Sequence, residues 1–351
     1  MLFTREKQVI GLDIGSNTIK VVQISRGKNG YRLEKVGIAS LEPEIIVDGS
    51  IIDASRFVDT VRLLLKEQEI KVKDAVISVS GYSSVIIKKI TIPEITEEEL
   101  SESIKWEAEQ YIPFPIDEVN LDFEVIGPSA TADNQMDVLL VAAKKEKVND
   151  YISAITQAGL NPVVVDVDVF ALENMYELNY SIEPGKNVAL ANIGASTMNI
   201  NIIRDGMPLI TRDSPVGGNQ YTEAIQKELG ITYEKAESLK KREISMDIDP
   251  SVMENIMYTV SGTIATEIIR AMDLINEEIT GLILSGGCSK LFGLPEFLAD
   301  KTGVPTEIVN PFKSIYADPK VFRPEYLTDI APVVALGVGL AIRRVKDRWS
   351  E

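Results

Sequence analysis

Two short segments of this 351-residue chain carry residue types suited to holding a phosphate chain and a metal ion. The first, GLDIGSNTIK, runs from Gly11 to Lys20, and the second, ANIGASTMNI, from Ala191 to Ile200. Each has an apolar lead-in, an Ile-Gly pair, small hydroxyl residues and a second apolar stretch, which reads as strand, tight turn, strand. At such a bend, residues like Gly15, Ser16, Asn17 and Thr18 turn backbone N–H groups outward together. A nest of that kind takes phosphate oxygens, and glycine and serine let the ligand come close. Asp13, at the end of a buried strand, could hold the water shell of Mg²⁺, which favours one or two carboxylates plus phosphate oxygens. Lys20 would meet a phosphate as a point charge. In the second copy Asn192 stands where the first has Asp13. A third segment, LILSGGCSKLFGLPEFL, reads as a strand, a Gly286-Gly287 bend and a helix with Ser289 near its start. Backbone and a helix N-terminus there can approach a nucleoside.

The bulk composition narrows the chemistry. A net charge of −17, from 36 Lys and Arg against 53 Asp and Glu, argues against a general nucleic-acid binder. The chain has no histidine, which excludes Ser-His and Cys-His catalysis and histidine metal ligands. Its one cysteine, Cys288, can form no intramolecular disulfide, which suits a reducing cytosol. The N-terminal MLFTREKQVIGLDIG lacks a signal-peptide pattern, and the longest apolar run, Val333 to Ile342, is well short of the roughly 20 residues of a membrane span. A cytoplasmic protein is expected.

The elements that must position these motifs appear twice. QVIGLDIG, TIKVVQIS and YRLEKVGIAS predict three strands. SRFVDTVRLLLKEQ predicts a helix with Phe57, Val58, Val61, Leu64 and Leu65 on one face, and DAVISVS a buried strand. The same order returns after Lys186, through NVALANIG, TMNINIIRDG, MPLITRDSP, the helix SGTIATEIIRAMDLINE and the strand GLILSGG. The pattern is an internal duplication of a mixed α/β unit with different material inserted in each half.

The first insert begins near Val85. Its helix ITEEELSESIKWEAEQ has Thr96 as N-cap, Glu99 as capping-box partner, and Ile95 with Leu100 as a hydrophobic staple. Pro113 and Pro115 stop it, two strands follow, and a helix from Glu146 to Ala158 ends at Gly159. The second insert reads as wholly helical. The expected division is a first core subdomain of 1–84, 163–186 and 331–351, an insert of 85–162, a second core subdomain of 187–215 and 259–330, and a helical insert of 216–258.

These segments resemble the actin-like ATPase superfamily, which includes actin, sugar kinases and the bacterial division protein FtsA. GLDIGSNTIKVV looks like its first phosphate motif, ANIGASTMNI its second, LILSGGCSKLFGL its adenosine motif, and VVVDVDVFAL and APVVALGVGLAI its two connecting segments. Within the superfamily, KWEAEQYIPFPIDEV, VLLVAAKKEKVNDYISAITQAGLNPVVVDVDVFALEN and SPVGGNQYTEAIQKELGITYEKAESLKK resemble the PilM family of type IV pilus assembly. The resemblance implies an α/β fold of duplicated actin-like (ribonuclease H-like) domains, mixed sheets flanked by helices, with the first insert as the relocated subdomain shared with FtsA. It implies ATP and Mg²⁺ as ligands. Gly194, Ala195, Ser196 and Thr197 would meet the β- and γ-phosphates, as would Gly217 and Gly218 by close approach, while Glu237, Lys240, Gly286, Gly287 and Ser289 would lie near the adenosine. Asp168 aligns with the acid that orients the attacking water, with Asp166 as the alternative; either could instead cap the following helix.

The resemblance also implies a partner, the N-terminal cytoplasmic tail of a PilN-like single-span inner-membrane protein, along with other pilus assembly proteins and mainly indirect membrane contact. The tail would use Tyr111, Phe114 and a strand edge at Ala143 and Lys144, although Tyr111 and Phe114 suit core packing equally well. The superfamily's second phosphate motif usually starts with Asp. Asn192 supplies no charge, so slow hydrolysis is expected beside retained binding. The expected function is an ATP-binding scaffold; an active ATPase or kinase and an FtsA-like filament protein are the alternatives.

Overall fold

The computed structural model describes residues 8–28, 30–129 and 132–343. Strands β1 (Ile10–Ile14), β2 (Thr18–Gly27) and β3 (Gly30–Ser40) form an antiparallel meander. A small hairpin, β4 (Ile46–Val47) and β5 (Ser50–Ile51), leads to α1 (Ala54–Glu67), whose five apolar residues at helical spacing are all buried. Next, β6 (Asp74–Val79) pairs parallel to β1. The chain then leaves this sheet for β7 (Val85–Pro93), α2 (Glu97–Ala108), β8 (Val119–Pro128) and β9 (Gln135–Lys144). It returns through α3 (Lys145–Gln157) and β10 (Asn161–Val167), parallel to β6, and crosses in α4 (Asp168–Asn179).

The second half repeats the scheme. Its elements are β11 (Asn187–Ile193), β12 (Met198–Arg204), β13 (Met207–Ser214), α5 (Gly218–Leu229), α6 (Tyr233–Lys240) and α7 (Pro250–Met272). They are followed by β14 (Ile279–Ser285), α8 (Leu294–Thr302) and β15 (Thr306–Ile308). Finally β16 (Ile315–Tyr316) joins β3, and α9 (Pro324–Ala341) closes the described chain. Spatial order is β10-β6-β1-β2-β3-β16 in one sheet and β13-β12-β11-β14-β15 in the other. Read from the meander outward, the two orders and senses are the same. In register, Asp13 faces Lys20 across the first hairpin just as Asn192 faces Asn199 across the second.

The halves share a core built by α4 and α9, where Leu172, Met175, Val334 and Val338 join Val22 of one sheet and Leu190 and Ile283 of the other. Close approach depends on missing side chains. A Cβ at Gly11 would fall 2.2 Å from Gly337 O, and one at Gly339 would fall 1.7 Å from Ala171 O. Thus α9 lies backbone-to-backbone on β1 and on α4.

Three expectations need revision. The capping box at Thr96 and Glu99 forms as expected, but α3, inside the expected insert of 85–162, also packs into the core of the first half. Val148, Tyr151, Ala154 and Ile155 of α3 pack with Ile10, Leu12 and α1 and also with Val85, Ile87, Val141 and Ala143 of the insert's sheet, whose own separate cluster runs from Ile90 to Ala142. An amphipathic pattern shows that a helix is buried, and not against what. Second, α7 runs unbroken through the expected boundary at 258, with Ile256 in the helical insert's cluster and Val260 in the second half's core. Third, β9 is the middle strand of the order β7-β9-β8. Ala143 pairs with both Val85 and Asn120, and the Lys144 N–H donates to Ser84 O at 2.9 Å, so no strand edge exists there. The open edges belong to β7 and β8. Of the expected subdomain spans, 1–7 and 344–351 lie outside the described residues.

Candidate functional site: a cleft between matched hairpins

Both glycine turns close in the same way. The Gly15 N–H donates to Thr18 O at 3.1 Å, and the Gly194 N–H to Thr197 O at 2.9 Å. The two turns face each other across the halves, and Ser196 Oγ donates to Ser16 Oγ at 2.6 Å. The structure therefore brings together Gly15, Ser16, Asn17 and Thr18 with Gly194, Ala195, Ser196 and Thr197, the residues named from sequence.

On the first-half side, Lys20 Nζ lies 3.1 Å from Asp13 Oδ2, each side chain 12% exposed. Burial pushes the Asp13 carboxyl above the ordinary carboxylate range; Lys20 pulls it back and the nearby Asp168 carboxylate pushes it further. Asp168 opens α4 but does not cap it: the N-cap is Val167, and Asp168 Oδ1 accepts from Ser78 Oγ at 2.6 Å. The alternative acid, Asp166, is committed to Arg343, whose Nε lies 3.2 Å from Oδ2, and to the Val167 N–H.

The second-half side holds residues that sequence reading missed. Asn192 Oδ1 accepts from Ser285 Oγ, and Asn192 Nδ2 donates to Asn199 Oδ1, both at 3.3 Å. Asn199 Nδ2 donates to Asp213 Oδ1 at 2.7 Å, and Asp213 Oδ2 accepts the Gly81 N–H at 2.7 Å. Lys147 Nζ in turn donates to Ser80 O at 2.6 Å. Burial raises the Asp213 carboxyl, against the hydrogen bonds from Asn199 and Gly81. Burial lowers the Lys147 ammonium, against the attraction of Asp168 and Asp213. In sequence, RDSP ends a strand at the surface of the pattern, and nothing in it separates Asp213 from a solvated acid. Among the described residues, no group of three or more Cys, Asp or Glu is disposed to hold a metal ion directly.

The helical insert rests on the second hairpin. The Gly218 and Asn219 N–H groups donate to Gly194 O and Ala195 O at 2.9 and 2.8 Å. A Cβ at Gly217 would fall 2.6 Å from Ala195 O, which explains the glycine. Lys240 Nζ donates to Gly218 O at 3.1 Å, Thr222 Oγ1 at 2.9 Å and Glu237 Oε2 at 2.5 Å. Glu237 and Lys240 are therefore a part-buried cluster under the start of α5, rather than an exposed helix pair. Gly286 has φ 83°, and its N–H donates to Pro332 O of α9 at 2.8 Å. Ser289 is wholly buried and its hydroxyl donates to Gly286 O at 2.7 Å, so it fastens the bend from inside. Gly287 has open space around it.

On the first insert, Lys88 Nζ lies 5.1 Å over the Tyr111 ring and Lys144 Nζ 4.4 Å over Phe114. Both rings are partly buried against the insert's cluster.

Comparison with known proteins fits this geometry. The family profile described as "Type IV pilus assembly protein PilM" matches residues 11–345. The cell division protein FtsA of Bacillus subtilis (strain 168) is 22% identical over 379 residues, covering 94% of this chain and 82% of the relative. Among solved structures, a PilM-PilN type IV pilus biogenesis complex matches with a TM-score of 0.85 at 31% identity, covering 96% of this chain and 98% of the other. MreB5 of Spiroplasma citri bound to AMPPNP shares the fold, with a TM-score of 0.54 at 14% identity, covering 95% of each chain. The duplicated sheets are thus those of actin-like proteins, and the chain belongs to the PilM family of type IV pilus assembly proteins.

Proposed function

We propose that the cleft holds ATP, and that the protein acts as a cytoplasmic scaffold gripping the tail of a PilN-like membrane protein through its first insert. The observation that carries the nucleotide reading is the face-to-face placement of two matched glycine hairpins, with Ser16 and Ser196 in contact. A phosphate chain between them would meet backbone N–H groups from both halves, with Lys20 beside the first hairpin. The MreB relative bound to AMPPNP supports the same ligand class. Because the serines touch, admitting a phosphate chain requires the halves to separate about α4 and α9, a hinge motion of the kind two-domain proteins make.

The residues fit Mg²⁺ only through its water shell. Asp13 is already paired with Lys20, Asp168 receives Ser78, and Asp213 receives two donors. When bound, the ion would offset phosphate charge. Asp168 can accept a proton or orient a water, but from the second half Asn192 brings only an amide, so weak hydrolysis is the expectation.

The PilM-PilN complex supports the partner. Tyr111 and Phe114 offer partly exposed rings with Lys88 and Lys144 over them, and the unpaired edges of β7 and β8 offer backbone groups for an added strand. Among the described residues no helix is long and apolar enough to cross a membrane. The deciding experiment titrates an extended apolar tail peptide into the protein with and without ATP–Mg²⁺ while following phosphate release. Saturable binding of both ligands with slow release supports the scaffold; turnover at several per second without partners favours an ATPase instead.

A further inference from the structure

The Ser80–Gly81 peptide group is held at both ends. Its carbonyl accepts from the Lys147 ammonium at 2.6 Å, and its N–H donates to the Asp213 carboxylate at 2.7 Å. Lys147 belongs to the first half and Asp213 to the second, so this single peptide plane lies between opposite charges from the two sides of the cleft. It also stands at the root of the insert. Gly81 O accepts from the Ser84 and Val85 N–H groups, both at 2.9 Å, and Ser84 O accepts the Lys144 N–H at 2.9 Å. From Asp213, a run of hydrogen bonds therefore reaches the first residue of β7 and the last of β9, where the insert leaves and rejoins the core.

The same carboxylate orients the other side of the network. An ionised carboxylate only accepts, so Asn199 must turn its Nδ2 toward Asp213 and its Oδ1 toward Asn192. Residue 192 must then donate to Asn199 while accepting from Ser285, which an amide can do and a carboxylate cannot. That requirement explains the neutral residue at 192 without reference to catalysis. In the first half the residue registered as Asp213 is here, two strands from the turn, is Ile38. The acid is an addition to the duplicated plan, not a copy of it.

We propose that Asp213 is a positioning residue that couples the separation of the hairpins to the root of the insert. Opening the halves withdraws the carboxylate from Gly81 and frees the Ser80–Val85 turn; closing them restores the grip. The coupling to nucleotide rests on the reading of the cleft as an ATP site, whereas the hydrogen-bond relay does not.

The test uses the full chain in two arms. In the first, Asn192→Asp places carboxylates on both sides of Asn199, which can donate to only one of them. The expected loss is about tenfold in the folded-to-unfolded ratio. Adding Asp213→Asn lets the relay reverse with every partner satisfied, so the double variant recovers most of the loss. A neutral Asn192→Asp, or a double variant no better than it, overturns the relay. In the second arm, hydrogen exchange is followed at residues 80–85 and 139–144 with and without ATP–Mg²⁺, beside calorimetric ATP binding. ATP–Mg²⁺ is expected to change exchange of the wild-type 80–85 segment at least tenfold. Asp213→Ala is expected to exchange fast with and without ATP–Mg²⁺. Bound ATP with unaltered exchange at 80–85 overturns the coupling. Absence of ATP binding to the wild type sinks the nucleotide reading and the coupling with it, while the first arm still judges the relay.

Discussion

Ser16 Oγ and Ser196 Oγ, 180 residues apart in sequence, meet at 2.6 Å and close the mouth between the two glycine hairpins. Cysteines at both positions are therefore placed to bond when oxidised. The native Cys288 will not compete, since burial pushes its thiol up to about 12 and keeps it protonated. The oxidised double variant should lose fluorescent-nucleotide binding at least tenfold and regain it on reduction. Undiminished binding by the cross-linked protein would show that nucleotide does not enter between the hairpins.

A second prediction concerns pH. Glu173 of α4 accepts from Asn201 Nδ2 of β12 at 3.1 Å, a contact between the crossing helix and the second sheet. Burial pushes its carboxyl from the ordinary 4.5 up to about 8; the Asn201 bond opposes this, and Glu177, Glu124 and Asp166 add to it. The folded protein thus holds this proton more tightly than the unfolded chain. Its stabilising effect is complete below about pH 4.5 and is lost as pH rises toward and through about 8. Between pH 5.5 and 8.5 the wild type should lose on the order of a few kcal/mol relative to Glu173→Gln. Thermal midpoints of the two proteins that run parallel over that window would remove Glu173 from the account.

Two glycines in helices should respond oppositely to alanine. At Gly339 a Cβ would fall 1.7 Å from Ala171 O, so α9 and α4 must move apart, at a cost of about 3 kcal/mol or more. At Gly262, within α7, a Cβ meets nothing within 4 Å, and alanine should stabilise by roughly 0.5–1 kcal/mol. Denaturant midpoints measure both. Equal effects at the two sites would mean that the α4–α9 crossing is looser than its backbone contact implies.

The insert offers a further check. Tyr111 and Phe114 are only partly buried, so on the proposed reading replacing both by alanine should weaken tail-peptide binding by about 2–4 kcal/mol. Melting of the insert must be monitored alongside, because the same rings cover its core. Unchanged affinity in a folded double variant would move the peptide away from this surface.

What the sequence showed and what it concealed follow from the range of the interactions involved. The hairpins were legible because a tight turn is written locally, in Gly15 and Gly194 and the small residues after them. The capping box of α2 was legible for the same reason. Strand order is not local: β9 reads as a continuous apolar run, and nothing in Ala143 or Lys144 reveals two neighbours rather than one. Helix α3 showed that it had an apolar face, but not that this face meets α1 and β1 as well as the insert's sheet. Asp213 and Lys147 were hidden because their partner is a main-chain peptide group, which has no signature of its own in the sequence.

The unbroken course of α7 has a mechanical consequence. One rigid rod of 23 residues begins in the helical insert that carries Glu237 and Lys240 and ends in the core of the second half. Without a joint along its length, that insert cannot fold down over a nucleoside as an independent flap. On the proposed reading, tightening around a bound base would swing the second half together with the insert and carry Ser196 and Asp213 with it. Recognition of a base and the setting of the gap between the hairpins would then be one displacement seen from two ends.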